Sequence, residues 1–231
     1  MEKSNARHEF RNRGISGSAQ DMIRPRIIPI VADIVKSGIS AAEGVTFTGH
    51  SVCPACGGPL AGYDTKKKQF AHIITKNGPE TLYVGIKRFC CRSCHRFCFA
   101  DNPFYPDTRI GSVVIDLCIA LSMTMPVNRV PAYLAAMGIL MDRGSCRLYV
   151  QNDSSYFVRN NLRYIDPHNV FGVHLPLSIL TLSALAADPD LPGPVEESKI
   201  LAACNFPSQQ RTPGIRPFPL KDLIIRHDPG Y

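Results

Sequence analysis

The chain reads as an α+β protein in which a small β-hairpin module, pinned at both ends by cysteines, precedes a helical module and is flanked by further helices and irregular tails. Three observations predict this. Cys53 and Cys56, then Cys91 and Cys94, form two CxxC units. Between them lie two strand-like runs, Gln69 to Thr75 and Thr81 to Phe89, separated by Lys76-Asn77-Gly78-Pro79-Glu80. Beyond them, apolar residues recur at helical spacing between proline and glycine breaks.

Residues 1–45 comprise a polar arm and an amphipathic helix. Ile27, Ile30, Val31, Ile34 and Val35 repeat at i, i+3, i+4 and i+7, which puts them on one helix face. Pro25 and Pro29 suit a first turn, whose amides lack intrahelical acceptors, and Gly38 suits the end, where a left-handed residue is favoured. The apolar stripe is expected to pack on a neighbouring element or to join two copies in a homodimer.

Residues 46–107 carry the cysteine pairs. Cys53-Pro-Ala-Cys56-Gly57-Gly58 leads into a polar loop containing Lys66, Lys67 and Lys68. Asn77-Gly78 between β-rich runs is a hairpin signal, because both residues tolerate positive φ. In the second run Leu82, Val84 and Ile86 alternate with Thr81, Tyr83 and Lys87, the pattern of a strand with one buried face.

Residues 108–165 suit a helical module. Gly111 to Met123 reads as a mostly buried helix stopped by Met125-Pro126. A second helix includes Val130, Tyr133, Leu134 and Met137, with Gly138 permitting a turn. A third follows Asp142, a good N-cap. Residues 166–231 form a tail with two apolar helices, near Leu177 to Ala187 and Val195 to Ala203, and a proline-rich end. Proline and glycine interrupt the whole chain often enough to suggest several small modules.

Met1 to Gln20 is charged and lacks the apolar segment of a secretory signal. The longest apolar stretch, Leu175 to Ala187, contains Pro176 and falls short of the ~20 residues a span requires. A cytoplasmic protein with no membrane segment is expected.

Of the net charge of +7, the middle segment, 51–165, holds the excess, with 14 basic against 7 acidic side chains. Such a balance favours a polyanion.

Nine cysteines, clustered as CxxC pairs in a reducing compartment, point to metal more than to disulfides. Two units of soft thiolates supply the four corners of a tetrahedron, the preference of Zn²⁺ in a structural site. One structural zinc ion on Cys53, Cys56, Cys91 and Cys94 is therefore expected. Cys90 or Cys98 in place of a member of the second pair, or His95 as a nitrogen ligand, are the alternatives; Cys91 and Cys94 alone repeat the spacing of the first pair. Cys118, Cys146 and Cys204 read as buried free thiols. Four protein thiolates leave no open coordination position, so such a zinc would fold a ribbon and would not activate water.

The helix after Asp142 is the candidate for reading DNA. A period of 3.6 residues aligns Arg143, Arg147 and Val150 or Gln151 on one face, with Ser145, Gln151 and Asn152 adding hydrogen-bonding groups and Leu148 and Cys146 turned to the core. Lys87, Arg88, Arg92, Arg96 and Arg109 are candidate phosphate contacts.

The run from Cys53-Pro-Ala-Cys56-Gly57-Gly58 through Arg88-Phe89-Cys90-Cys91-Arg92-Ser93-Cys94 to Tyr105-Pro106-Asp107-Thr108-Arg109, with Val130-Pro-Ala-Tyr133-Leu and Gly138 after it, resembles the N-terminal zinc-ribbon and helix-turn-helix region of prokaryotic insertion-sequence transposases. The resemblance covers residues 50 to 155 and implies binding to double-stranded DNA of mobile-element ends. His95 in place of glycine, the 34 residues between the knuckles and Pro131 in the first helix of the motif depart from that pattern. Transposition chemistry needs a carboxylate cluster on a sizeable catalytic fold, and the acids after Asn152 lie in proline-punctuated segments. The expectation is a sequence-specific DNA-binding protein that is not an enzyme and takes no small-molecule substrate. A zinc-stapled adaptor that binds a protein partner through its apolar helices is the second reading.

Overall fold

Pro29 opens helix α1 (Pro29–Ser40) at its first turn in the computed structural model, which describes residues 25–50, 52–151, 167–188 and 194–209. Val31, Val35 and Ile39 form its fully buried stripe, while Ile28 and Ile30 are exposed. The helix does not stop at Gly38. That glycine is the point where α1 crosses a C-terminal helix, α5 (Leu177–Ala186): a Cβ there would lie 2.7 Å from the Ile179 carbonyl oxygen. Glycine is needed for close approach, and the helix continues to Ser40.

Strands β1 (Thr46–Phe47), β2 (Leu60–Thr75), β3 (Gly78–Cys91) and β4 (Phe97–Phe99) form one sheet around β3. β2 and β3 make a long antiparallel hairpin from Thr75↔Gly78 to Leu60↔Cys91. Gly78 alone supplies positive φ at its turn, at 115°. β1 runs parallel to β3 at Gly85 and Ile86, and β4 antiparallel to it at Arg88 to Cys90. The alternation in β3 is as the sequence predicts: Leu82, Val84 and Ile86 are buried and Tyr83 is exposed.

Lys66 to Lys68, expected in a loop, lie within β2 opposite Ile86, Gly85 and Val84. Two of the three ammonium groups lie over aromatic rings. Lys67 Nζ is 4.3 Å from the centre of the Tyr83 ring, and Lys68 Nζ is 3.8 Å from that of Phe104. Burial pushes the Lys68 pKa down to about 8. A register shift between Gln69 and Ala71 leaves Phe70 fully buried, edge-on to Phe104.

Helix α2 (Ser112–Ser122) is buried along its length from Ser112 to Leu121. Its Asp116 carboxyl is sealed in the interior, where Tyr105 Oη donates to it at 2.6 Å and Ser178 Oγ at 3.2 Å. Helix α3 (Val130–Ala136) accepts Pro131 because it falls in the first turn. Residues 137–142 then dock on the free edge of β2: the Ile74 N–H donates to the Gly138 carbonyl at 2.7 Å and the Leu140 N–H to the His72 carbonyl at 2.9 Å. Helix α4 (Arg143–Gln151) follows. Asp142 caps it as expected, its carboxylate accepting from Ser145 N at 2.9 Å and Ser145 Oγ at 2.5 Å.

The C-terminal segment holds more than the two expected helices. A hairpin of β5 (Pro167–Val170) and β6 (Val173–Pro176), turned at Phe171-Gly172 with both φ positive, precedes α5, then α6 (Glu197–Ala203) and a short 3₁₀ turn at Pro207–Gln209. Val173, Leu175, Ile179, Leu182, Ile200 and Leu201 join Val35, Phe47, Leu82, Leu117 and Leu134 in one hydrophobic cluster. All four sequence segments thus contribute to the same core. Among the described residues no helix is long and apolar enough to cross a membrane.

Candidate metal centre and its basic surroundings

The far end of the β2–β3 hairpin brings the two CxxC units together. Cys53 and Cys56 lie in the turn before β2, and Cys91 ends β3 with Cys94 in the turn after it. Each turn is closed from the carbonyl of its first cysteine, which accepts the N–H of Gly57 at 2.8 Å in one and of His95 at 3.0 Å in the other. The residue so bound has a left-handed backbone in both, φ 71° at Gly57 and 57° at His95. His95 therefore occupies a glycine-type position. The turns also pack on one another: the Arg92 N–H donates to the Pro59 carbonyl at 3.0 Å, and a methyl on Gly58 would meet Ser93 Oγ at 2.5 Å and Cys56 Sγ at 3.2 Å.

The sulfurs of Cys53, Cys56, Cys91 and Cys94 all lie within 4.8 Å of one another, with Cys53 to Cys94 at 3.7 Å and Cys56 to Cys91 at 3.5 Å. A metal–sulfur distance of ~2.3 Å in tetrahedral geometry needs sulfurs ~3.8 Å apart. The four cysteines are thus close enough to hold one metal ion. Cys90, His95 and Cys98 fall outside this group. Cys90 Sγ faces the carbonyls of Cys91 and His95, His95 is exposed, and Cys98 is buried on β4 opposite Phe89, its thiol pKa raised by burial.

Backbone amides aim at these sulfurs. Cys94 N–H (3.5 Å) and Ser93 N–H (3.4 Å) approach Cys91 Sγ, and these contacts, that of Cys94 foremost, bring its pKa down to about 6. The Cys53 thiol is lowered chiefly by the Ala55 amide and further by that of Cys56. Cys56 moves the other way, to about 12: the Gly58 amide favours its thiolate, but sharing protons with Cys94 and Cys91 outweighs that. Four sulfurs this close cannot all ionise without a cation among them, which is what a bound metal supplies. All four positions of a tetrahedral ion would be filled, so the centre suits structure and not substrate binding.

The predicted basic residues are distributed unevenly. Arg92 and Arg96 are exposed beside the second turn, Lys87 is half-buried, and Arg109 is exposed before α2. Arg88 is already engaged: its Nε donates to Asp64 Oδ1 at 2.5 Å, its second nitrogen pairs with Oδ2, and the pairing holds the Asp64 carboxyl below its usual range. Its guanidinium also lies 5.5 Å from the Tyr63 ring centre. On α4, Arg143 and Arg147 are exposed one turn apart, and both donate to Asn128 Oδ1, at 3.2 and 2.9 Å. Ser145 is occupied by the cap, and the side chain of Gln151, with Asn152, lies outside the described residues. Two orientations differ from expectation. Leu148 is 52 % exposed, whereas Val150 packs against the core beside the fully buried Cys146. The helix turns Cys146 and Val150 inward at i, i+4, which carries Leu148 to the outside with the arginines.

Sequence reasoning overlooked two groups. Asn128 holds the α4 arginines, and no motif marks it. Tyr63, Phe97 and Phe99 are exposed by 60, 55 and 47 % at the ribbon end of the sheet, with Tyr63 edge-on to Phe97 at 4.9 Å. The alternation of Phe97-Cys98-Phe99 was the available signal for these rings. No family model matches the chain, and neither curated proteins nor solved structures include a match to it.

Proposed function

We propose that this chain is a zinc-stapled, sequence-specific DNA-binding protein related to the recognition regions of transposases. The observation that carries the reading is the outer face of α4, where Arg143 and Arg147 stand exposed one turn apart and steered together by Asn128. Each guanidinium spends one donor on that contact and keeps others for base edges or phosphates. The succession of a buried α2, a short α3 and a basic α4 supports a helix-turn-helix use, with α2 packed against both later helices. The four-cysteine centre fits zinc by ligand chemistry and spacing, and Arg92 and Arg96 next to it are available to phosphates.

Metal analysis of the wild type and of Cys53→Ser and Cys94→Ser gives the stoichiometry: one zinc per wild-type chain and substantial loss in each variant. Selection of bound duplexes from a random pool, followed by anisotropy across a salt series, tests the binding. Arg143→Ala or Arg147→Ala should relax sequence preference by about 1–3 kcal/mol at one position. Arg92→Ala should weaken all duplexes alike and lower the salt slope by about one. Absence of duplex binding at low salt would sink the reading, and equal effects of all three changes on every sequence would remove α4 as the reading helix.

A further inference from the structure

The aromatic group on the ribbon has an arrangement that the reading of duplex DNA by α4 does not use. Phe97 and Phe99 lie opposite Cys90 and Arg88 in the β3–β4 ladder, so all four side chains share one face. Tyr63 joins them across the hairpin, 4.9 Å from Phe97 and 5.5 Å from the Arg88 guanidinium. The middle residue, Cys98, turns inward and is buried. The strand therefore spends its polar-side positions on phenylalanines, at a place where a solvated strand carries polar groups. Tyr63 and Phe97 each expose more than half of their surface, though water does not favour exposing large rings together.

We propose that this face binds unpaired nucleic acid, with bases stacking on Tyr63, Phe97 and Phe99 and phosphates meeting the arginines beside them. Charge selects the occupant. Arg92 and Arg96 are exposed in and just after the second cysteine turn, immediately before Phe97, and the middle segment carries the chain's excess positive charge. A polyanion with flat apolar faces satisfies both features, whereas an apolar protein surface would leave the cations unanswered. Geometry selects the strandedness. Residues two apart on a strand are separated by about 6.6 Å, roughly twice the 3.4 Å rise between stacked nucleotides. Neighbouring rings on β4 therefore suit bases separated from one another, and a paired duplex keeps its base faces covered. Arg88, tied to Asp64, sets the edge of the platform and stacks its guanidinium near Tyr63 in place of binding phosphate.

The proposal rests on the reading of the basic middle segment as a nucleic-acid surface, and it does not depend on α4. The full-length, zinc-loaded chain would be titrated with a labelled 20-nucleotide oligothymidine and, separately, with duplex DNA. Phe97→Ala with Phe99→Ala should weaken the single strand at least about 5-fold per ring removed and leave the duplex within about twofold; Arg143→Ala with Arg147→Ala should do the reverse. Phe97→Leu with Phe99→Leu keeps the apolar bulk without the ring and should lose single-strand affinity as the alanine pair does. Zinc content and the thermal transition confirm that each variant is folded. The chain has no tryptophan, so Tyr63→Trp installs a single reporter whose emission should be quenched as oligothymidine binds, independently of the alanine variants.

Single-strand affinity unaffected by both the alanine and the leucine pairs overturns the proposal, as does an unquenched Tyr63→Trp. So does sedimentation showing that the patch instead joins two copies, with the dimer lost in Phe97→Ala. Duplex binding lost in the α4 variant while oligothymidine binding persists leaves the platform standing. Oligothymidine binding with no duplex binding at all would refute the α4 reading and sustain this one.

Discussion

His95 holds the position in the second cysteine turn that Gly57 holds in the first, with φ of 57° against 71°. A side chain in the left-handed region costs up to about 1–2 kcal/mol relative to glycine, and histidine tolerates it better than most. His95→Gly should therefore stabilise the metal-loaded protein by about 0.5–1 kcal/mol and raise its melting temperature by roughly 1–4 °C. A lower melting temperature would mean that the exposed imidazole makes a contact worth more than the backbone strain. Asp116 poses the opposite case, a strained electrostatic group with relaxed geometry. Complete burial raises its pKa to about 7, and the hydrogen bonds from Tyr105 and Ser178 offset only part of the shift. The folded state then holds the proton more tightly than the unfolded chain, whose aspartate titrates near 3.9. Its contribution to stability is full below about pH 4 and is lost as pH rises through about 7, with a slope of at most about 1.4 kcal/mol per pH unit. Urea unfolding of the zinc-loaded chain between pH 6 and 8 should show this decline in the wild type and a flatter profile in Asp116→Asn, which is neutral throughout. Identical slopes would show that Asp116 is already ionised in the folded state across the window, since a carboxyl still protonated there would give the full slope.

At the scale of elements, what the sequence disclosed depended on whether a residue's role was local. The alternation of Leu82, Val84 and Ile86 and the cap at Asp142 are properties of short windows, and the structure has them where they were expected. The cysteine pairs were legible because their equal spacing marks them, and the structure brings the four sulfurs within 4.8 Å of one another. Gly38 was misread because a glycine at a helix end and a glycine at a helix crossing look alike in sequence; only the 2.7 Å approach of the Ile179 carbonyl, 141 positions away, separates them. Lys66 to Lys68 were misread because three charges in a row carry no period, and the strand is imposed by pairing with Ile86, Gly85 and Val84. Leu148 and Val150 exchanged their expected sides because the helix phase is set by Cys146, which packs inward with zero exposure, and a window whose apolar residues Leu148, Tyr149 and Val150 run consecutively leaves that phase open. The β5–β6 hairpin was invisible for a similar reason. Pro167–Val170 has one apolar pair and two polar residues, and its turn uses Phe171 at positive φ, a residue that propensity does not place there.

For the whole molecule, the consequence is that residues 167–188 and 194–209 are part of the shared core. α1 and α5 cross at Gly38 and Ile179, β6 packs on α2, and Thr48 at the sheet edge is clamped by Glu197, whose carboxylate accepts from Thr48 N at 2.6 Å and Oγ1 at 3.0 Å. The four-cysteine cluster lies at the end of the long hairpin away from its Gly78 turn, tied to its own two turns. Removing the metal should therefore loosen the ribbon end first, whereas removing the C-terminal elements should reach the core. Leu175, Ile179, Leu182, Ile200 and Leu201 are each at most 5 % exposed, and burying such a side chain contributes about 2 kcal/mol. Five of them contribute on the order of 10 kcal/mol, comparable with the 5–15 kcal/mol that separates a folded domain from its unfolded chain. A chain ending at residue 166 should accordingly lose its cooperative urea transition, expose α1 and α2 to protease, and yet retain some affinity for zinc through the two CxxC turns, whose ligands are all upstream. Hydrogen exchange on the full-length protein after chelation should show the converse, with amides of 53–62 and 89–98 exchanging fast while those of α2 stay protected. A truncated chain that unfolds cooperatively with wild-type stability would mean that the helices and sheet upstream hold together without the segment that covers them, and that the shared core is divisible after all.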